Sequence, residues 1–194
     1  MKHSLPRKLE LTDNRLLLRV HRSGDFLEWS VLRSSSRAFL SPWEPTWPAD
    51  DLTRAGWRRR LAGYERERRD GAALALFIFT REGLTGRQEL VGGVRLSNIN
   101  YGVQQSASIG YWLGRDYIGQ GYMSRAVEMV CRFGFDQIGL HRIEACCIPE
   151  NKRSAGVLHR CGFEEEGLAR AYLKINGIWQ DHILFARLTD VEGR

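Results

Sequence analysis

Between residues 106 and 138 the hydrophobic period of the chain changes, and that change limits the folds open to it. Residues 106–113 read as a strand. Gly119 and Gly121 follow, and then Met123, Ala126, Val127, Val130, Phe133, Gly134 and Ile138 recur at i, i+3, i+4, i+7 spacing. Ser124, Arg125, Glu128, Arg132 and Asp136 take the opposite side, so an amphipathic helix is predicted over 121–137. Two strand-like runs precede this unit, 72–81 and 89–97, joined by short polar connections typical of hairpins. Antiparallel strands feeding a strand–glycine–helix turn exclude a doubly wound parallel sheet. Glycines at the turn let backbone N–H groups face outward at the positive end of the helix dipole, a natural phosphate cradle. The stretch is not a Walker loop, which needs Gly-Lys-Ser/Thr, and Ser124 stands where a dinucleotide fingerprint needs its third glycine. A plain turn remains the other reading of Gly-x-Gly.

The flanking segments fit one α+β domain over residues 1–194. A first strand is predicted at 16–20, a helix capped by Ser23 through Phe26, Leu27, Trp29 and Leu32, and an aromatic loop over 41–47 set by Pro42, Pro45 and Pro48. A helix over about 50–69 carries Leu52, Trp57, Leu61 and Tyr64, although Gly56 and Gly63 weaken it. Gly92-Gly93 inside the strand at 89–97 suggests a bulge or a close backbone approach. A strand at 141–148 ends at Pro149, Asn151 caps a helix closed by Gly162, and 172–175 with 178–188 form a hairpin across Asn176-Gly177.

Composition bounds the function. With 194 residues, 43% of them apolar, the chain can bury a real core, and no apolar run reaches the length of a membrane span. Met1 to Pro6 lack a following apolar segment, so an unexported, cytoplasmic protein is expected. The net charge of +6 comes mostly from arginine and favours acidic or phosphate-bearing partners. The arginine run from Arg58 to Arg69 is interleaved with Glu65 and Glu67 and lacks a reader motif, which reads as a solvated helix face and argues against direct nucleic-acid binding. Cys146, Cys147, His159 and Cys161 form no paired knuckle, and neighbours on a strand point to opposite faces. Buried thiols and no metal are expected. Nothing in the sequence sets an oligomeric state.

A second stretch, Pro149-Glu150-Asn151-Lys152-Arg153-Ser154, adds a capped helix start just after a strand. With Tyr111-Trp112-Leu113 and Ile118-Gly119-Gln120-Gly121-Tyr122-Met123 it resembles the GNAT superfamily of N-acetyltransferases. In that family a loop of pattern Gln/Arg-x-x-Gly-x-Gly/Ala holds the pyrophosphate of acetyl-CoA. Here Ile118, Gly121 and Met123 stand at the specified positions, and the central glycine fits. The chain is similar, over most of its length, to the RimJ/RimL-type ribosomal-protein alanine N-acetyltransferases. Arg37-Ala38-Phe39-Leu40-Ser41-Pro42-Trp43-Glu44-Pro45, His141-Arg142-Ile143 and Ile175-Asn176-Gly177-Ile178-Trp179-Gln180-Asp181-His182 carry that likeness. The resemblance implies a mixed, mostly antiparallel sheet with helices on both faces, its central strands splayed. It also implies acetyl transfer from acetyl-CoA to a protein's N-terminal amine, alanine of a small-subunit ribosomal protein being the type substrate.

The chemistry needs a neutral amine, a polarised thioester carbonyl and a protonated leaving sulfur. The resemblance assigns the cofactor to the main chain of Tyr111, Trp112 and Leu113, to residues 118–123, and to Asn151 and Ser154. Ser154 sits near a helix N-terminus, where its hydroxyl can serve the departing thiolate; helix capping is the competing role for Asn151 and Ser154. Glu144, a carboxylate mid-strand, is a candidate base, against an ion pair with a nearby arginine. His141 and His182 are further candidates for proton transfer, against the commoner reading of a satisfied structural histidine. Trp43, Glu44 and Trp47 are candidates for the acceptor pocket, as walls or as core plugs. A small-molecule amine acetyltransferase and a non-catalytic acyl-CoA-binding protein remain alternatives.

Overall fold

A computed structural model describes residues 4–81 and 87–189, so residues 1–3 of the expected leaderless start lie outside the described residues. Its strands are β1 (Glu10–Thr12), β2 (Leu16–Val20), β3 (Leu74–Thr80), β4 (Glu89–Asn100), β5 (Ser106–Leu113), β6 (Arg142–Cys147), β7 (Glu164–Ile175) and β8 (Ile178–Leu188). They form a sheet of order β1-β2-β3-β4-β5-β6-β8-β7. Every pairing is antiparallel except β5 with β6, as expected for a mixed, mostly antiparallel sheet. That parallel pairing covers only Ser106 to Ser108 against Arg142 to Glu144. Beyond Ser108 the two strands part, and their facing edges are left without a ladder.

Alternation along the strands builds a core on each face. Leu74, Leu76 and Ile78 of β3 join Ile143 and Ala145 of β6 under α4 (Tyr122–Phe133) and α5 (Lys152–Arg160). Phe77 and Phe79 turn to the other face, where Trp29 of α1 (Phe26–Ser35) stacks on Trp57 of α3 (Arg54–Arg69) at 4.7 Å between ring centroids. A four-residue α2 (Arg37–Leu40) lies between them in the chain. Among the described residues no helix is long and apolar enough to cross a membrane, and no group of three or more His, Cys, Asp or Glu is placed to hold a metal ion.

Several expectations shift. The first helix starts at Phe26 rather than on a Ser23 cap: Asp25 accepts from the Arg22 N–H at 2.7 Å and pairs with Arg19, which tightens residues 23–25 into a 3-10 turn. The aromatic loop contains a 3-10 turn at Ser41–Trp43. Helix α4 ends at Phe133 and continues as a π turn over Gly134–Ile138. The last hairpin is longer than expected, β7 beginning at Glu164. Its turn, with Asn176 and Gly177 both at positive φ, has the geometry the Asn-Gly pair favours. The Gly92-Gly93 pair does mark a close approach: a Cβ on Gly92 would lie 2.3 Å from the Trp112 carbonyl oxygen. The register also slips beside it, between Ile78 and Phe79. Two arginines of α3 pair with the turn before it, Arg59 with Asp50 and Arg60 with Asp51, and Arg68 pairs with Glu65 inside the helix.

Candidate active site

The gap between β5 and β6 opens into a cavity of about 1110 Å³ that reaches both faces of the sheet. On the α4/α5 face, Tyr111 of β5 projects toward α5. Its hydroxyl lies 3.0 Å from Ser154 Oγ and donates to the Ser154 carbonyl at 3.2 Å. The Ser154 N–H in turn donates to Asn151 Oδ1 at 3.1 Å, so Asn151 caps α5 and Tyr111 orients the serine. Burial pushes the Tyr111 phenol up despite the Ser154 bond, which keeps it a donor.

On the same face the chain turns from β5 into α4. Gly119 and Gly121 both hold positive φ, +77° and +78°, which a side chain resists, and a Cβ on either would meet open space. Both line the cavity with Ile118, Tyr122 and Met123. Among the described residues no side chain caps the N-terminus of α4 at Gly121, so its first N–H groups are available to an anion. Arg160 adds charge from α5, its Nε donating to Ser124 Oγ at 3.2 Å.

On the α1/α3 face the cavity is aromatic and partly charged. Trp112 packs with the Trp29–Trp57 core, and Trp43, Glu44 and Pro45 form a wall. The Glu44 carboxylate is not free: both oxygens accept from Arg33, at 2.8 and 2.6 Å, and Oε2 also accepts from Trp47 Nε1 at 2.7 Å. The Glu44 carbonyl accepts from the Asn176 N–H at 2.9 Å, tying this wall to the β7–β8 turn. Cys146, Leu173, Ile175 and His182 complete this side.

Of the residues picked from sequence, four fall outside the cavity, His141 just before β6 among them. Glu144 is solvent-exposed and bonded to Arg142 at 2.7 Å, which also binds Glu166; the ion-pair reading holds, and its carboxylate is not positioned to take a proton in the cavity. Trp47 stacks under Arg33, 4.0 Å from ring centroid to guanidinium, and buttresses Glu44 from behind. The Gln120 side chain turns back to the Asp116 carbonyl at 3.3 Å. Sequence reasoning gave no role to Arg160, although it lies seven residues after Arg153 and so on the same side of α5. Cys146 was read only as a thiol.

A mixed sheet split between two parallel central strands, with a glycine turn feeding a helix beside the split, defines a GNAT acetyltransferase. The chain belongs to that family: the acetyltransferase (GNAT) domain matches residues 15–164. It is 34% identical to the ribosomal protein uS5-alanine N-acetyltransferase of Escherichia coli (strain K12) over 182 residues, 94% of this chain and 92% of that one. Among solved structures, the ribosomal-protein-S5-alanine acetyltransferase of Vibrio fischeri superposes with a TM-score of 0.85 at 32% identity, covering 96% of this chain and 100% of that one. RimJ of Mycobacterium smegmatis, solved in complex with CoA-disulfide, gives 0.84 at 34% identity over 94% of this chain and 87% of that one.

Proposed function

We propose that this chain transfers the acetyl group of acetyl-CoA directly to the N-terminal amine of a protein, with alanine of a small-subunit ribosomal protein as acceptor and the cytoplasm as the setting. Residues 1–194 act in this reading as one acetyltransferase domain. The observation that carries it is the cavity through the sheet, with a glycine-and-arginine end on one face and an aromatic end on the other. The first end suits a phosphorylated carrier: Gly119, Gly121 and the first N–H groups of α4 cradle the pyrophosphate, and Arg160 neutralises it. The edge of β5 beyond Ser108 has no β6 ladder, so the main chain there is free to bond the amides of the pantetheine arm. Ser154, oriented by Tyr111, meets the sulfur as it leaves. Trp43 and Glu44 wall the acceptor end.

The thiols beside the cavity support direct transfer, without a cysteine nucleophile. Burial pushes Cys146 up to about 11 and raises Cys147 as well, so neither is a thiolate near neutral pH. The alanine specificity named for the E. coli and V. fischeri relatives supports the choice of acceptor.

An acceptor panel tests the proposal. Purified protein is incubated with acetyl-CoA and peptides that begin with alanine, serine or methionine, or with small amines, while free thiol is followed. The expected result is turnover on the alanine peptide, with mass spectrometry placing one acetyl group on its α-amine. Turnover confined to small amines, or acetyl-CoA binding with no turnover, overturns it.

A further inference from the structure

The aromatic end of the cavity contains one basic nitrogen that the arrangement described so far leaves idle. In β8, Ile183 and Phe185 pack into the α4/α5 core, so His182 and Leu184 turn to the opposite face, the side of Trp43 and Cys146. His182 is only 3% exposed, yet it lines the cavity. Its Nδ1 lies 3.0 Å from the Gln180 carbonyl oxygen. A carbonyl oxygen can only accept, so Nδ1 carries the proton of the neutral ring and Nε2 keeps its lone pair. Nε2 has no hydrogen-bond partner among the described residues. A nearly buried imidazole with its tautomer fixed and its acceptor nitrogen unused is placed to receive a proton from something that enters the cavity.

We propose that His182 is the general base of acetyl transfer, taking the proton of the acceptor's ammonium group at Nε2 on the Trp43 side of the sheet. The proposal rests on the acetyl-transfer reading above. Nε2 accepts one ammonium proton and releases it to solvent. The freed lone pair forms the new C–N bond with the thioester carbon, and the C–S bond breaks with its electron pair on sulfur. The second nitrogen proton balances the thiolate, through the Ser154 hydroxyl on the opposite face. Base and acid therefore reach the reacting carbon from different faces of the split sheet, one serving the nitrogen and the other the sulfur.

The other ionisable groups around His182 do not compete for the role. Tyr172 of β7 meets the imidazole edge-on, 5.9 Å between ring centroids, and Lys174 of β7 supplies a cation. Cys146 of β6 stays a thiol. Glu44 is already engaged by Arg33 and Trp47, while Glu150, Lys152 and Arg153 stand at the mouth formed by the start of α5.

The test compares kcat/KM against pH for the parent chain and His182→Gln on an N-terminal alanine peptide, alongside acetyl-CoA affinity. The expected loss is about 10²- to 10⁴-fold near neutral pH, with the acidic limb of the parent profile abolished and acetyl-CoA Kd unchanged within about twofold. Should His182→Gln fold poorly, His182→Gly assayed with added imidazole decides: recovery of turnover supports the base, and no recovery overturns it. A parent that turns over beside a His182→Gln variant within about threefold of it, with the same pH profile, overturns the role of His182 alone. A parent inactive on every acceptor instead overturns the acetyl-transfer reading.

Discussion

Ser154 is held at three atoms, and those contacts set what its removal does. Its N–H rests on Asn151, its hydroxyl on Tyr111, and its carbonyl also accepts from Tyr111. In Ser154→Ala the tyrosine keeps the carbonyl and the helix keeps its cap, so stability in urea falls by less than about 1 kcal/mol. The interaction with the departing sulfur is lost, and kcat at saturating substrates falls about 10- to 100-fold with acetyl-CoA affinity intact. A kcat within twofold of the parent leaves Ser154 a helix residue only. Glu44 behaves differently because its partner is buried: the Arg33 side chain is 9% exposed. Glu44→Gln leaves that guanidinium without a counter-charge, while the Asn176 N–H keeps its bond to the residue 44 carbonyl. Urea unfolding is expected to show a loss of about 1–3 kcal/mol, and initial rates a higher KM for the peptide with that for acetyl-CoA unmoved. Equal changes in both KM values assign Glu44 to the scaffold.

At the scale of the element, the two glycines of α3 look alike in sequence and differ in structure. A Cβ on Gly63 meets nothing within 4 Å, whereas one on Gly56 would lie 2.3 Å from the Asp50 carbonyl oxygen. Gly63→Ala is therefore expected to stabilise the protein by about 0.4–1 kcal/mol, and Gly56→Ala to destabilise it by about 1–3 kcal/mol, both read from urea midpoints. Equal signs contradict the packing of α3 on the Asp50 turn. The same contrast explains what was legible beforehand. β5 and α4 were read within a few residues because each buries one face, and burial writes a period into sequence. The first half of β7 escaped because it is an edge strand exposed on both sides, with register slips at Gly167 and between Ala169 and Leu173 that erase any alternation. Strand parity in β6 correctly sets Glu144 opposite Ile143 and Ala145. Parity alone cannot say that this opposite face is solvent at Glu144 and cavity two residues later at Cys146, since that depends on where β5 turns away. Trp47 was misplaced for a similar reason, because a proline-rich loop carries no period to orient its rings.

The whole molecule balances two cores across one sheet, and the smaller, aromatic one contains a titrating group. The His21 ring lies 3.8 Å from that of Phe77 and 4.6 Å from that of Tyr64, centroid to centroid, and its Nδ1 is buried without a hydrogen-bond partner among the described residues. Burial brings its pKa down to about 3, against the upward pull of Asp25 and with help from Arg60 and Arg19. The folded protein thus keeps His21 neutral, while the unfolded chain takes up a proton near pH 6.5. Above pH 6.5 the group is silent; below it the unfolded state binds one more proton, and stability falls by about 1.4 kcal/mol per pH unit until about pH 3. The carboxylates held low by arginines or backbone N–H groups, Asp13, Glu65, Glu128 and Glu166, add their loss only as pH falls below their ordinary values of 3.8 to 4.5. Urea denaturation between pH 7 and pH 5 should therefore show a loss of about 2 kcal/mol in the parent and a nearly flat line in His21→Gln. A parent as flat as the variant means that the ring is hydrated. A ligand that binds only the folded protein opposes this loss by mass action. Acetyl-CoA at about a hundred times its Kd contributes about 2.7 kcal/mol, so the loaded protein at pH 5 should be at least as stable as the free protein at pH 7. If the shortfall persists at saturation, acetyl-CoA does not bind the folded chain with the preference that a site between β5 and β6 requires.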